Sequence, residues 1–433
     1  MWISRFFQDS LISKGHPVQL RKYRLNAWTF VAALAAVAQP QDVVCSQEPI
    51  HKQQIGAEAK QSDSHNDSTS WLEAIRKENS LPALWACRIE NGEIDSLATG
   101  TLSSAGIDSA SATNLIHLGS CTKAMTAVLI AQLVSSEKLT WETTLAEIFG
   151  EETELSESAW AGVTVRQLLR HRSGAPANCL WPLADMNHQG EPVAARRYVL
   201  RWLAARKYPA NRQYVYSNVG YALLGHIVET IEGKDWESLM RQRLFAPLAI
   251  RHAGFGPVRQ TTSVGDNGQP TTLNQPWGHR VRTPFDSLGD GLSALFGTKP
   301  KSKYMPIRFD NPAPLGPAGR AHMPIGEWAK FVKLFTSTKA PKELDIKQKV
   351  WEELLDAGGE GDYASGWVHM KRKWAGGDVL FHNGSNTTWY CVAWVSQSRG
   401  TAYLAATNCF GDAATAACDA AVQKLGEKDT PIK

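Results

Sequence analysis

The sequence predicts an α+β fold: one antiparallel β-sheet built from strands at the two ends of the chain, flanked by helices, with a mostly helical subdomain inserted between them. Three observations predict it. Residues 82–89 form a strand-like run, followed by Asn91-Gly92, a dipeptide suited to a tight hairpin, and a second strand through Leu97. Four further strand candidates follow near the other end, at 365–370, 379–382, 388–395 and 401–407, the last two joined by a short Ser/Arg/Gly turn. Between these groups, residues 140–257 read as mostly helical, most clearly over 220–232 and 236–244.

The remaining elements follow in chain order. Residues 1–38 read as an export signal. Arg5, Lys14, Arg21, Lys22 and Arg24 make a basic leader, and 27–38 supply a short apolar core ending in Ala36-Val37-Ala38, a small-x-small cleavage site. Twelve apolar residues are short for an anchor, since a membrane span needs about 20. Residues 39–69 are polar and without apolar periodicity, which predicts a linker. Residues 70–430 then form one globular domain. Its central helix is expected over 122–134, where Met125, Val128, Leu129 and Leu133 recur at helical spacing. Residues 258–315 are rich in Pro, Gly and Thr with little periodicity and read as a long loop that is functional, disordered or carries small elements the pattern does not reveal. Helices over 326–335 and 413–425 complete the list.

Composition narrows the function. The 433 residues carry 46 Lys+Arg against 42 Asp+Glu, a net charge of +4, with no basic stripe interleaved with aromatics, so nucleic-acid binding has no electrostatic support. No apolar run is long enough for a polytopic membrane protein, and no integral span is expected once the signal is removed. Seven cysteines are few and odd in number, which argues against a disulfide framework but leaves one or two bridges open, as it leaves lipid attachment at Cys45. There is no CxxC pair and no HExxH, so metal catalysis is disfavoured, and the serine chemistry read below implies no metal or organic cofactor.

Three short motifs carry chemistry together. Ser120-Cys121-Thr122-Lys123 places a hydroxyl and an amine three positions apart, side by side on a helix, where the amine can take the hydroxyl proton. A helix N-terminus there adds backbone N–H groups for a developing negative charge, although a serine at that place is also an ordinary N-cap. A second Ser-x-x-Lys, Ser135 to Lys138, stands where its helix ends and reads as solvated surface. Cys121 points about 100° away along the helix and reads as core packing. Tyr216-Ser217-Asn218 is the chain's one Tyr-x-Asn; a lysine ammonium nearby would lower the phenol pKa enough for proton shuttling, and the Asn218 amide could hold the lysine. His382-Asn383-Gly384-Ser385 offers a polar side chain at a strand end, a glycine that lets substrate backbone lie close, and the Ser385 N–H as an oxyanion donor. His117-Leu118-Gly119 and His252-Ala253-Gly254 match the same His-x-Gly pattern, so order and context select His382.

In order, spacing and context these motifs resemble the serine β-lactamase/penicillin-binding-protein superfamily, in its class C β-lactamase-like branch. The stretch Thr164 to Gly174 is similar to that family's "TVRQLLxHxSG", and Pro276-Trp277-Gly278-His279 and Gly316-Pro317-Ala318-Gly319 fall where it has comparable segments. The resemblance spans about residues 71–425. It implies Ser120 as acyl-accepting nucleophile, Lys123 as its base, Tyr216 as proton shuttle, Asn218 as the residue orienting lysine and substrate, and His382 in place of the family's third-motif lysine. Gly384 and Ser385 would frame the oxyanion site, with His171 and His279 structural. Asn383 departs from the Thr or Ser usual in members that bind penicillins, which weakens the case for β-lactam hydrolysis. The expectation is an exported serine hydrolase acting on an amide, ester or D-amino-acid peptide, with peptidoglycan-derived peptides as candidate substrates and 258–315 as a lid. The alternative is a silent or merely acylated sensor module. An α/β-hydrolase would need a Gly-x-Ser-x-Gly elbow, which is missing from the sequence.

Overall fold

A computed structural model describes residues 69–427 apart from 189, 207–212, 259–260, 265–269, 284–301 and 360–362. The export signal, the linker up to residue 68 and Cys45 lie outside the described residues.

Seven strands make the main sheet: β1 (Ala83–Glu90), β2 (Glu93–Gly100), β3 (Tyr363–Ala364), β4 (Trp367–Arg372), β5 (Gly377–Ser385), β6 (Tyr390–Ser396) and β7 (Thr401–Thr407). Their order is β3-β4-β5-β6-β7-β1-β2, every pair antiparallel, so β1 from the amino-terminal side closes against β7 from the carboxy-terminal side. The hairpin turns where Asn91 and Gly92 take positive φ (51° and 83°), conformations these two residue types tolerate. The reading at 365–370 begins two residues early, because Ser365 and Gly366 (φ 42° and 99°) form the turn into β4.

The central strands read as nearly continuous apolar runs because both faces are covered. Trp85, Cys87 and Ile89 of β1, with Cys391, Ala393 and Val395 of β6, face one core. Leu84 and Ala86, with Val392, Trp394, Tyr403 and Ala405, face the other. The second core is closed by helices α1 (Ser70–Glu78) and α5 (Asp412–Leu425), whose Leu72, Ala414, Ala417, Cys418 and Ala421 are buried there. Against the first core lie α2 (Thr122–Ser135) and α4 (Ile325–Lys333). Helix α2 is buried all round from Thr122 to Leu133 save Gln132, as a helix apolar on every side must be.

The region between the two strand groups is built from short helices with two longer ones among them, Pro192–Ala204 and α3 (Asn218–Glu232). The reading at 236–244 changes character midway: Trp236–Met240 is α-helical and Arg241–Phe245 continues as a π-helix, a local widening that periodicity does not signal. A buried ion cluster ties this region together. Arg196, fully buried, pairs with Glu229 of α3 and, at 2.9 Å, with Glu237; His226 lies 3.2 Å from Glu229.

Within 258–315 the described residues carry small elements. Thr261–Val264 pairs with Pro270–Leu273, and Gly278–Val281 pairs with Tyr304–Ile307. His279, 0% exposed, binds the Asn408 carbonyl through Nδ1 (2.7 Å) and the Ser104 amide through Nε2 (2.9 Å), a structural role. A separate small sheet joins Leu115–His117, Ala321–Pro324 and Gly254–Phe255. It delivers the chain to Ser120. Among the described residues, no helix is long and apolar enough to cross a membrane, and the six described cysteines are unbridged.

Candidate active site

Ser120 lies in a one-turn 3₁₀ segment, Gly119–Cys121, that runs directly into α2. It does not cap the helix: no side chain accepts at that N-cap, and Thr122 Oγ1 instead donates to the Gly119 carbonyl (2.7 Å). Ser120 is half-exposed, whereas Lys123, one turn on, is completely buried. Cys121 packs inward, its sulfur 3.7 Å from that of Cys391.

Lys123 Nζ has three polar neighbours: Ser120 Oγ at 3.1 Å, Asn218 Oδ1 at 2.7 Å and the Ala318 carbonyl at 2.8 Å. Burial holds its pKa well below the usual lysine value, with charge on Cys121 opposing the shift. A neutral amine has two protons and one lone pair. Two of its neighbours can only accept, so they take the protons, and the lone pair is left to face the Ser120 hydroxyl.

Asn218 is able to hold the lysine because Ser217 takes over the capping of α3: its hydroxyl accepts the Gly220 amide at 2.9 Å. The second atom of the Asn218 amide, Nδ2, donates to Asn178 Oδ1 (2.9 Å), which fixes its orientation. Tyr216 is set by His171. The His171 carbonyl accepts the Val215 amide (2.8 Å), its Nδ1 accepts the Ser217 amide (3.0 Å), and its ring lies tilted against the phenol, 4.3 Å between centroids. His171 sits at φ 57° and is held neutral, its pKa lowered chiefly by burial.

Tyr216 corrects one expectation. Its phenol pKa is pushed up, not down, because desolvation outweighs a hydrogen bond with Ser120. The lysine does lie 4.7 Å over the ring, but a buried amine kept neutral offers no positive charge to stabilise a phenolate. Tyr216 therefore stands as a neutral phenol hydrogen-bonded with Ser120.

His382 is buried, and both its ring nitrogens have partners: Nδ1 with the Asn383 carbonyl (2.6 Å) and Nε2 with the Tyr363 hydroxyl (3.2 Å). It joins the cluster through Tyr363, whose ring lies 4.5 Å from His171 and 6.2 Å from Tyr216. Asn383 turns to the opposite face of β5, its amide donating to Tyr390 OH (3.3 Å). Gly384 is required by contact. A Cβ there would fall 2.0 Å from the Leu118 carbonyl, and one on Gly119 (φ 47°) would fall 2.3 Å from the Ser385 amide nitrogen. The end of β5 thus lies against the Ser120 turn.

The sequence reading missed Tyr363, Asn178 and the Ala318 carbonyl. Tyr363 occupies a two-residue strand without period, and a backbone carbonyl has no signature at all. The Gly316–Gly319 segment was noted by resemblance; its packing against α2 is what presents that carbonyl.

An antiparallel sheet covered by helices on both faces, with a Ser-x-x-Lys turn set against one of its strands, defines the β-lactamase/transpeptidase-like superfamily. The family described as Beta-lactamase matches residues 69–427, and the chain belongs to it. Among characterised relatives it is 26% identical over 271 residues to penicillin-binding protein 4 of Amycolatopsis lactamdurans, covering 62% of this chain and 64% of the relative. It is 29% identical over 236 residues to the unguisins hydrolase ungD of Aspergillus violaceofuscus, covering 53% of this chain and 37% of the relative. The chain thus spans less than two thirds of the length of these relatives. In fold it is similar to a beta-lactamase from Sulfitobacter sp. EE-36, with TM-score 0.61, 16% identity and coverage of 84% and 98%.

Proposed function

We propose that this protein is an exported serine hydrolase that forms an acyl-enzyme on Ser120 from an ester, amide or D-amino-acid peptide. The observation that carries the reading is the Lys123 amine, buried, fixed by two acceptors and 3.1 Å from Ser120 Oγ. As Ser120 Oγ attacks the substrate carbonyl carbon, its proton passes to the Lys123 lone pair. The carbonyl oxygen takes the negative charge and is held by the amides of Ser120 and Ser385. Collapse expels the leaving group, which takes a proton through Tyr216. Water then attacks the acyl carbon, giving up a proton along the same path, and Ser120 is released. Asn218 orients Lys123 and the substrate, His382 fixes Tyr363 beside them, and Gly384 lets the acyl chain approach β5.

Export rests on the basic leader and apolar core of residues 1–38, and peptidoglycan-derived peptides become candidate substrates by that address. Asn383, turned away toward Tyr390, leaves the site without the third-motif hydroxyl that would hold a substrate carboxylate, so β-lactams and peptides ending in a free carboxylate are expected to be poor substrates beside neutral esters and amides. The test follows hydrolysis of p-nitrophenyl butyrate, a D-alanine p-nitroanilide and a chromogenic cephalosporin by the chain from residue 39. Ester or anilide turnover that Ser120→Ala abolishes supports the reading. Turnover unchanged in Ser120→Ala overturns it, and no turnover beside stable labelling of Ser120 favours the sensor alternative.

A further inference from the structure

The proposed oxyanion site is assembled from two separately supported pieces. The Ser120 turn hangs from the small sheet through His117, and Ser385 ends β5 of the main sheet. Their spacing matters, because misplacing a reacting group by 1 Å can cost about 100-fold in rate. One buried carboxylate, belonging to neither piece, touches both. Asp310, its side chain 3% exposed, comes from the aperiodic stretch 258–315. Its Oδ1 lies 2.9 Å from His117 Nε2 and accepts Asn386 Nδ2 at 3.1 Å. The other oxygen, Oδ2, lies 3.4 Å from Arg320 Nε.

Two of these contacts, His117 and Asn386, are each one step from an oxyanion donor. His117 is fully buried, and its Nδ1 accepts the amide of Gly119 (3.1 Å), the residue before Ser120. With Nδ1 accepting, the ring proton sits on Nε2, whose 2.9 Å approach to Asp310 Oδ1 is a close polar contact without aligned hydrogen-bond geometry. Asn386 follows Ser385 directly and shapes its turn, its Oδ1 accepting both the amide (3.2 Å) and hydroxyl (2.9 Å) of Thr388. The carboxylate charge suits this place. Burial would raise its pKa, but His117, Arg320 and Asn386 outweigh burial and keep it lowered.

We propose that Asp310 is a positioning residue that sets the distance between the two oxyanion donors, holding the Ser120 turn through His117 and the Ser385 turn through Asn386. Because it acts on transition-state geometry, its loss lowers kcat and leaves KM nearly unchanged. The proposal rests on the acyl-enzyme reading above, and the experiment separates the two. Hydrolysis of p-nitrophenyl butyrate and inhibition by phenylboronic acid, a tetrahedral mimic held by serine and oxyanion donors, are measured for the parent, Ser120→Ala, Asp310→Asn, Asp310→Ala and Asn386→Ala. The expected result is that Ser120→Ala is inactive, while Asp310→Ala loses on the order of 100-fold in kcat and a similar factor in boronate affinity, the size seen when an oxyanion donor is removed. Asp310→Asn, which keeps an acceptor for His117 and Asn386 but loses the charge facing Arg320, falls between. Asn386→Ala cuts the Ser385 link alone and carries the same test if Asp310→Ala fails to fold. An inactive Ser120→Ala beside folded Asp310→Asn and Asn386→Ala variants with parental kcat and boronate affinity overturns the positioning role alone. A fully active Ser120→Ala overturns both.

Discussion

Alanine at Ser120 or at Lys123 is expected to lower kcat on p-nitrophenyl butyrate by on the order of 10⁴-fold, with the double variant little worse than either single one. The non-additivity is the informative part. Ser120 Oγ and the Lys123 amine are 3.1 Å apart and would act as one proton-transfer unit, so either loss removes the same step. Lys123→Arg should fail as completely, since a guanidinium stays protonated and cannot accept. The pH profile of the parent follows from the direction of the Lys123 shift. The active form is the neutral amine, so kcat/KM is expected to fall as pH is lowered and the amine protonates. Burial places that acid limb well below the ordinary lysine range, so activity reaches its plateau before pH 10.5. A limb at the ordinary lysine value would mean that the amine is solvated and charged in the working enzyme.

Arg196→Met is expected to be the most destabilising single change away from the site, by about 3–5 kcal/mol near neutral pH. The substitution preserves bulk but leaves the Glu229 carboxylate, buried in α3, without its cation. In the parent, burial raises the Glu229 pKa, but His226 and Arg196 outweigh it and the net shift is downward. A carboxylate with a lowered folded pKa contributes stability above its unfolded pKa, and that contribution disappears as pH falls through the folded value. In the variant the carboxyl pKa rises, so the stability gap between the two proteins should narrow as pH drops and Glu229 protonates. Urea midpoints at several pH values read both effects. A gap that is small, or that widens in acid, would show that Arg196 does not neutralise Glu229.

Much of the fold is legible in the sequence because its signals are local. Asn91-Gly92 announces the hairpin, and the apolar period from Thr122 gives the helix behind the nucleophile. The strands near the other end are found, 401–407 with the observed limits and the others with edges shifted by one to three residues. Ser120, Lys123 and Asn218 are legible as motif residues, and the structure brings the first and last within hydrogen-bond reach of the Lys123 amine. What escapes is tertiary. Asp310 meets His117 from a stretch with no period, Tyr363 stands alone in a two-residue strand, and the Ala318 carbonyl leaves no trace in composition. The direction of the Tyr216 shift escapes for a different reason. Proximity to Lys123 can be guessed from motif pairing, whereas desolvation depends on neighbours, such as Tyr363, that the sequence does not announce.

The most direct test of the account is to trap the covalent intermediate. The parent chain is mixed with p-nitrophenyl butyrate, quenched in acid during turnover, and its intact mass and peptide map are measured. The account predicts one butyryl adduct, on the peptide carrying Ser120, that is absent from Ser120→Ala and decays when substrate is exhausted. Turnover with the adduct mapped to another residue, or persisting in Ser120→Ala, would contradict it.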